Sequence, residues 1–347
     1  MITTTVDPVT DPRWHRLVSS RPTTLFHSPA WLGVIAATYG LPVRATLALD
    51  DAGEAVAGLP YVTVRDFMDR RTVSVPFSDF CDPLVADHAQ WRTLIDGLLE
   101  DPHRIDLRCL HNDIPLQDDR FGIVDRALWH AVDVRRDEEA TWTSLPSSAR
   151  RALRRARKAG VEVRTATDAS DLRAFHALHV GVRKHKYGLL AQPYSFLEHI
   201  WEAFLDSDDG ALLLATIDGQ IVAGVMFLEW QDVLYYKLNA SDTAYLDARP
   251  NDLVLWEGIR HAHKRGLSQL DFGLTDGDQE GLIRYKRKYA SQEKTVTLLR
   301  HQPAGLPSPQ DQMARKALRD VTRLLTDARV PDAVTAEAGA ALYRYFI

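Results

Sequence analysis

The chain is poor in cysteine. Cys81 and Cys109 are too few for a disulfide framework or a cysteine zinc site, so a reduced, intracellular protein is expected. A membrane-length apolar run is also missing. The longest uncharged stretch, residues 22–43, contains Pro22, Pro29 and Pro42, and its helical part, 30–39, is too short to cross a bilayer. The opening residues, MITTTVDPVTDPRW, have no basic segment followed by an apolar one, which argues against a secretory signal and for the cytoplasm. Lysine is absent from residues 1–146, where 14 Arg face 22 Asp or Glu; residues 147–347 hold all nine lysines and a slight basic surplus of 28 over 25. The net charge of −5 thus conceals a second half suited to an anionic ligand and a first half that repels one. Common catalytic signatures are missing too: no GxxxxGK[ST], GxGxxG, HExxH or GxSxG occurs. His261 and His263 stand two apart on a helical stretch and face different ways, so no metal site is expected.

What is present is an ordinary globular composition, 45% hydrophobic and 26% charged, over 347 residues, which suggests two domains. Ser28-Pro29-Ala30-Trp31 opens a helix that ends near Gly40, with the serine as cap and the proline where no N–H is needed. Strands 43–49 and 55–64 flank an Asp50–Gly53 turn and form a hairpin; strands at 73–76 and 105–110 enclose a helix at 91–99. Beyond them, Ser147-Ser148 can cap a helix in which six of the nine residues 150–158 are basic, closed by Gly160. A strand (161–165) and a helix (169–182) follow. The clearest hairpin spans 211–228 around Asp218-Gly219. A strand at 233–238, a long helix at 252–264 and a strand at 269–272 complete the pattern. Each half reads helix, hairpin, further strand, helix, strand. The expectation is an α/β protein with mixed sheets in two tandem copies, 1–146 and 147–300, followed by a Pro-rich linker and helical tail, 301–347.

That element order is the one of GNAT-type acyltransferases. A CoA-using member presents backbone amides to the pyrophosphate from a Gly-rich loop before its central helix. Here residues 245–252 read YLDARPND: no glycine is present, Pro250 has no N–H, and Asp247 and Asp252 would repel phosphate. This counts against CoA, and no cofactor is expected.

Several pieces in fixed order then resemble the FemABX peptidyl transferases. They are the basic helix ending Lys158-Ala159-Gly160; the run Tyr235 to Ser241; Arg249-Pro250-Asn251 with Trp256-Glu257; Leu270 to Gly273; Gly281 to Lys286; and, in the first half, Phe26 to Trp31 and the loop Asp79 to Pro83. The family carries an amino acid from aminoacyl-tRNA to an acceptor amine, uses twin GNAT-like domains and needs no CoA. The resemblance implies that Lys286, in the Tyr285-Lys286 pair, stabilises an oxyanion or clamps the tRNA 3′ end; the plain alternative is one charge in the solvated run 284–288. It implies acceptor binding by Arg183 and Tyr187, which share a face if their segment stays helical, and a cleft lined by Tyr236. Each can also be an ordinary surface or core residue. Asp79 or Asp82 stands where the family keeps an aspartate near the attacking amine, and either can instead cap a turn. Arg150, Arg151, Arg154, Arg155, Arg157 and Lys158 are the candidate contacts for tRNA phosphates, against the bland reading of a solvated helix. Asn251 most simply caps the long helix.

Two departures are plain. The first long helix, 31–39, has no basic residue to hold the diphosphate of a nucleotide-linked cell-wall precursor, and no long coiled arm lies between 160 and 209. The expected activity is amide formation by direct attack of an acceptor amine, borne by a cell-wall precursor or a specialised-metabolite intermediate, on aminoacyl-tRNA. A CoA-dependent N-acyltransferase and a catalytically idle binding module are the rivals.

Overall fold

The structure, a computed structural model, describes residues 2–134 and 137–347. Strand β1 (Ile2–Val6) is followed by α1 (Pro12–Ser19), which starts on the Asp11 carboxylate. Ser28 starts α2 (Pro29–Tyr39) by accepting the Trp31 N–H at 3.1 Å, and Gly40 closes it with φ 61°. Strands β2 (Val43–Leu49) and β3 (Ala55–Arg65) form the expected hairpin. Its turn is tied by the Asp50 carboxylate, which accepts from the N–H groups of Ala52 and Glu54. Strand β4 (Arg70–Ser74) adds antiparallel to β3. A parallel neighbour cannot follow through a tight turn, so the chain crosses through α3 (His88–Leu99) before β5 (Arg104–Cys109) pairs in parallel with β4. The next strand, β6 (Gly122–Asp133), has no counterpart in the sequence reading, because its first five residues are exposed and break the alternation.

The second run of elements repeats the first. Helices α4 (Glu138–Ser144) and α5 (Ser147–Lys158) lead to β7 (Glu162–Thr165), α6 (Ala169–Gly181), a π-helical turn (Val182–Lys186) and α7 (Tyr194–Ile200). Strands β8 (Gly210–Ile217), β9 (Gln220–Trp230) and β10 (Val233–Ser241) pair antiparallel. Asp218 and Gly219 take φ of 50° and 79°, the positive values a type I′ hairpin needs. Helix α8 (Pro250–Arg265) crosses to β11 (Gln269–Asp276), which lies parallel to β10. Helix α9 (Glu280–Arg287), β12 (Gln292–His301), α10 (Pro309–Leu325) and α11 (Asp332–Leu342) complete the chain; residues 297–301 of β12 pair antiparallel with β5.

Two compact units result, each a mixed α/β layer with one parallel pair bridged by its crossover helix. The first comprises residues up to Leu128 with 294–318 and 347; the second comprises 129–293 with 319–346. Two local expectations are corrected. The N-cap of α5 is Pro146, with no side-chain cap from Ser147 or Ser148, and α10 begins at Pro309, inside the proline-rich stretch 302–310 expected to be linker. No helix among the described residues is long and apolar enough to cross a membrane.

The first core joins Leu59 and Tyr61 of β3 to Trp91, Leu94 and Ile95 of α3 and Leu107 of β5. In the second unit α8 is apolar on several faces. Leu253, Val254, Trp256 and Ile259 are buried in one cluster with Phe227, Leu270 and Phe272 of the strands and with Ala149, Leu153 and Ala156 of α5. Gly258 lets α8 approach the sheet, since a Cβ there would sit 2.3 Å from the fully buried Phe227 ring. Gly258→Ala is therefore expected to cost about 1–3 kcal/mol in urea unfolding. Gly97→Ala, on the exposed face of α3 with nothing near its Cβ, should gain about 0.5–1 kcal/mol. Equal effects of the two substitutions would contradict this packing.

Candidate active site

Three elements of the second unit meet at one cleft: the end of β10, the start of α8 and α9, with the π-helical turn on its rim. The cleft holds about 260 Å³ and is lined by Lys186, Tyr187, Ser241, Arg249, Asn251 and Tyr285, among others. A register shift in β10, with Lys237 as the extra residue between Tyr236 and Leu238, re-aims this strand end. Tyr236 is held edge-on to Phe227 at 5.5 Å and tilted on Phe272 at 5.6 Å. Its hydroxyl is buried and makes no hydrogen bond of good geometry, although Asn239 and Tyr285 stand close by. Burial raises the pKa of both Tyr236 and Tyr285 well above the usual phenol value, so both remain neutral hydroxyls.

The start of α8 is built differently from a phosphate cradle. Arg249 is the N-cap residue at φ 63°, a left-handed backbone that a bulky residue adopts at a cost. Its N–H donates to the Leu246 carbonyl and that of Asp252 donates to Arg249 O, while Pro250 has none to offer. Asn251, read from sequence as the cap, is one position inside the helix instead. Its Nδ2 donates to Ser241 Oγ at 3.1 Å and its carbonyl accepts the Tyr285 hydroxyl at 3.1 Å, leaving Oδ1 buried without a partner. Asp252 is buried in the first turn of the helix, where the dipole favours a carboxylate, and accepts from the Lys288 ammonium and the Tyr289 hydroxyl.

The residues singled out from sequence are distributed as follows. Tyr187 and Tyr285 line the cleft, and Tyr236 adjoins them. Arg183 lies one turn back on the π-helical segment, where the regular helical spacing is lost, and its Nε donates to Leu190 O at 3.1 Å. Lys286 follows Tyr285 but is only 4% exposed; its Nζ donates to the carbonyls of Gly273 at 3.1 Å and Leu274 at 3.0 Å, tying α9 to β11. On α5, Arg151, Arg154, Arg155, Arg157 and Lys158 are exposed and Arg150 is half-buried. Arg150 donates to Thr143 O, Arg155 stands 3.5 Å from Asp247, and Arg157 covers the Trp142 ring. Arg151, Arg154 and Lys158 have no carboxylate partner among the described residues. His261 and His263 turn to Glu229 and Thr141 respectively.

Asp79 and Asp82 belong to the first unit. Asp79 is half-buried. Asp82 is buried, and its Oδ1 accepts the N–H groups of Leu110, His111 and Asn112 at 2.8–3.0 Å, which fixes the turn after β5; burial pushes its pKa up to about 6. Sequence reasoning quoted Ser241 and Arg249 only as ends of matching motifs and gave neither them nor Lys186 a place in the site. Their cleft position depends on the π-helical turn, the bulge and a positive φ, none of which has a periodic signature.

Residues 145–287 match the family model described as "Acetyltransferase (GNAT) domain" (Acetyltransf_6). The second unit carries a GNAT domain, and the fold is FemX-like. The crystal structure of FemX superposes over 92% of this chain and 100% of its own at 15% identity, TM-score 0.67. The C-terminal domain of a putative lysylphosphatidylglycerol synthetase from Agrobacterium fabrum superposes over 88% and 95% at 11% identity, TM-score 0.56. A tandem GNAT protein from the clavulanic acid biosynthesis pathway superposes over 87% and 99% at 10% identity, TM-score 0.53. No curated protein matches the sequence. By the family it matches, the domain is of the acyltransferase type.

Acid sensitivity follows from the buried histidines. His179, beside the π-helical turn, is held by burial at about 4 although Gln192 Oε1 bonds it at 2.7 Å, and burial likewise holds His27 and His111 at about 4. Below the ordinary value near 6.5 the unfolded chain takes up protons that the folded chain refuses, so stability falls as pH drops from about 6.5 to about 4. Asp82 has the opposite slope between about 4 and 6, but it is one group against three. His179→Gln should reduce the loss between pH 7 and 4.5 by about 2 kcal/mol in urea unfolding. An unchanged pH slope would show that His179 protonates freely in the fold.

Proposed function

We propose that the protein is an aminoacyltransferase that moves an amino acid from aminoacyl-tRNA to an acceptor amine. The acceptor is a cell-wall precursor or a specialised-metabolite intermediate. The observation that carries this reading is the start of α8: a GNAT domain with Pro250 at the first helical position and the Arg249 and Asp252 N–H groups already spent has no amide cradle for the CoA pyrophosphate. The FemABX resemblance supplies a donor that needs none. The helix α5 supports it, because Arg151, Arg154 and Lys158 are exposed, with no carboxylate partner among the described residues, on a chain of net charge −5.

In this reading the acceptor amine binds in the cleft against Tyr187 and Tyr285, with the neutral Tyr236 hydroxyl behind them and Arg183 holding the rim. Its nitrogen attacks the ester carbonyl, the C–N bond forms, and the tetrahedral oxyanion collapses. The bond to the ribose oxygen breaks, and that oxygen leaves with the proton the amine gives up. No acyl-enzyme forms in this reading: the Ser241 oxygen accepts from the Asn251 amide, while Cys81 and Cys109 are buried in the first unit with their thiol pKa pushed up by burial. Lys286, its ammonium fixed on the Gly273 and Leu274 carbonyls, is given by the resemblance the role of favouring the oxyanion. The resemblance gives the handling of the ammonium to Asp79 or Asp82 of the first unit, and of the two Asp82 has its Oδ1 filled by three N–H groups.

Purified protein mixed with total tRNA carrying radiolabelled amino acids and a small-molecule extract should move label from one tRNA into an RNase-resistant, amine-linked product. If no charged tRNA is bound or consumed while acetyl-CoA binds at micromolar concentration, the CoA-dependent alternative replaces this reading. Lys286→Met should lower turnover by about 10²-fold or more. It should cost about 1–3 kcal/mol of stability, because two buried carbonyls lose their donor. Full turnover in the folded variant would reduce Lys286 to a scaffold role. Replacing Arg151, Arg154 and Lys158 together by Ala should weaken tRNA binding and lower the log K versus log salt slope by roughly 2–3.

A further inference from the structure

The turn that brings Lys186 and Tyr187 to the cleft is held from behind by a distant part of the same unit. Residues 182–186 are π-helical, a rare form that occurs mostly as single turns and is frequent at functional sites. Two positions apart on such a turn, Lys184 and Lys186 point to opposite sides: Lys186 is exposed on the cleft, and Lys184 is 2% exposed. A buried ammonium is stable only where acceptors surround it. Lys184 finds them on the C-terminal segment, donating to Asp332 Oδ1 at 2.7 Å and to the Val330 carbonyl.

Other contacts join the same two segments. His185 Nε2 faces Asp332 Oδ1 at 3.1 Å, and the Thr326 hydroxyl, 2.8 Å from the Thr322 carbonyl of its own helix, also lies 3.3 Å from the Gly188 carbonyl. Gly339 of α11 lies so close to Ala191 that an added Cβ would sit 2.4 Å from its carbonyl oxygen. Thr335, fully buried, anchors α11 to the end of α10 by donating to Leu325 O at 2.8 Å. Residues 319–346 thus grip 184–191 at three separate points, and the gripped stretch is the one that carries Tyr187.

We propose that residues 319–346 are a clamp that positions the cleft wall, with Lys184 as the positioning residue for Lys186 and Tyr187 through its pair with Asp332. The functional consequence rests on reading the cleft as the acceptor site; the mechanical part does not. Lys184→Met keeps the aliphatic stem and removes the ammonium, Asp332→Asn keeps the shape and removes the charge, and Lys184→Arg is the conservative control. Hydrogen–deuterium exchange on the full-length variants needs no substrate. Peptides covering 182–192 should exchange about tenfold faster in Lys184→Met and Asp332→Asn, while those in β8, β9 and β10 keep wild-type protection and Lys184→Arg restores most of it. Gly339→Ala, which pushes α11 off Ala191 without touching the ion pair, should loosen the same peptides.

Unchanged exchange at 182–192 in a folded Lys184→Met protein overturns the clamp. So does acceleration spread evenly over the unit, which would make the pair an ordinary structural contact. In the transfer assay the acceptor KM should rise about tenfold in Lys184→Met with kcat and the tRNA KM within about twofold of wild type; a fall in kcat alone would overturn the positioning role. Local loosening in a protein that transfers no amino acid from any charged tRNA would leave the clamp standing and remove the proposed reaction instead.

Discussion

Parallel pairing of β10 with β11 is the constraint on which the second unit turns. Adjacent parallel strands cannot be joined by a hairpin, so sixteen residues of helix α8 must cross between them, and the crossing puts the start of a helix beside the end of a strand. The cleft forms at that junction. Its chemistry then follows from a few local choices: a left-handed Arg249 and Pro250 where amides would otherwise face a ligand, a bulge that turns Tyr236, and α9 fixed to β11 by the Lys286 ammonium. The same crossover occurs in the first unit through α3, where β4 and β5 are parallel.

The uneven charge of the two halves has a structural counterpart. In the first unit arginines and aspartates neutralise one another out of water. Arg71 has no exposed side-chain surface and pairs with Asp66 and Asp69; Arg104 bridges Asp69 and Asp106; and Arg300 and Arg315 close the network on Asp106 and Asp69. Burial pushes the Asp69 carboxyl up, but Arg71, Arg104 and Arg315 together outweigh it and hold its pKa below the usual range. A planar guanidinium can serve two carboxylates at once, which a single ammonium does less well, and this suits a network centred on Arg71 and Arg104, which lie in a segment without lysine. The second unit spends its charges otherwise. It buries Lys184 and Lys286 on specific acceptors, holds the half-buried Lys288 on Asp252, and leaves Arg151, Arg154 and Lys158 of α5 to solvent, so its exposed charge is available to an anionic partner.

Much of the fold was legible because its signals are local. The Ser28 cap, the Gly40 stop, the Asp50 turn and the Asp218-Gly219 hairpin each depend on residues within a few positions, and each element formed where the pattern placed it. Strand β6 was not legible, because half of it is exposed and carries no alternation, and Asn251 was misread because a cap and an inward-facing first-turn residue look alike in sequence. Tyr187 and Tyr285 were assigned to the site through the family resemblance; Ser241 and Arg249 stood in matching motifs without a role, and Lys186 was not singled out.

The sequence by itself determined the repeated order of helices and strands, the damaged phosphate loop and the basic face of α5, since turn chemistry, proline and helical periodicity act over a few residues. Only the tertiary structure decided what each charge does. Lys184, Lys186 and Lys286 are alike as letters, yet one is buried on Asp332, one is open to the cleft and one is bonded to the carbonyls of Gly273 and Leu274. Lys184 and its partner are 148 residues apart. The partner of a buried charge is chosen by packing between segments distant in the chain, and no local pattern encodes it.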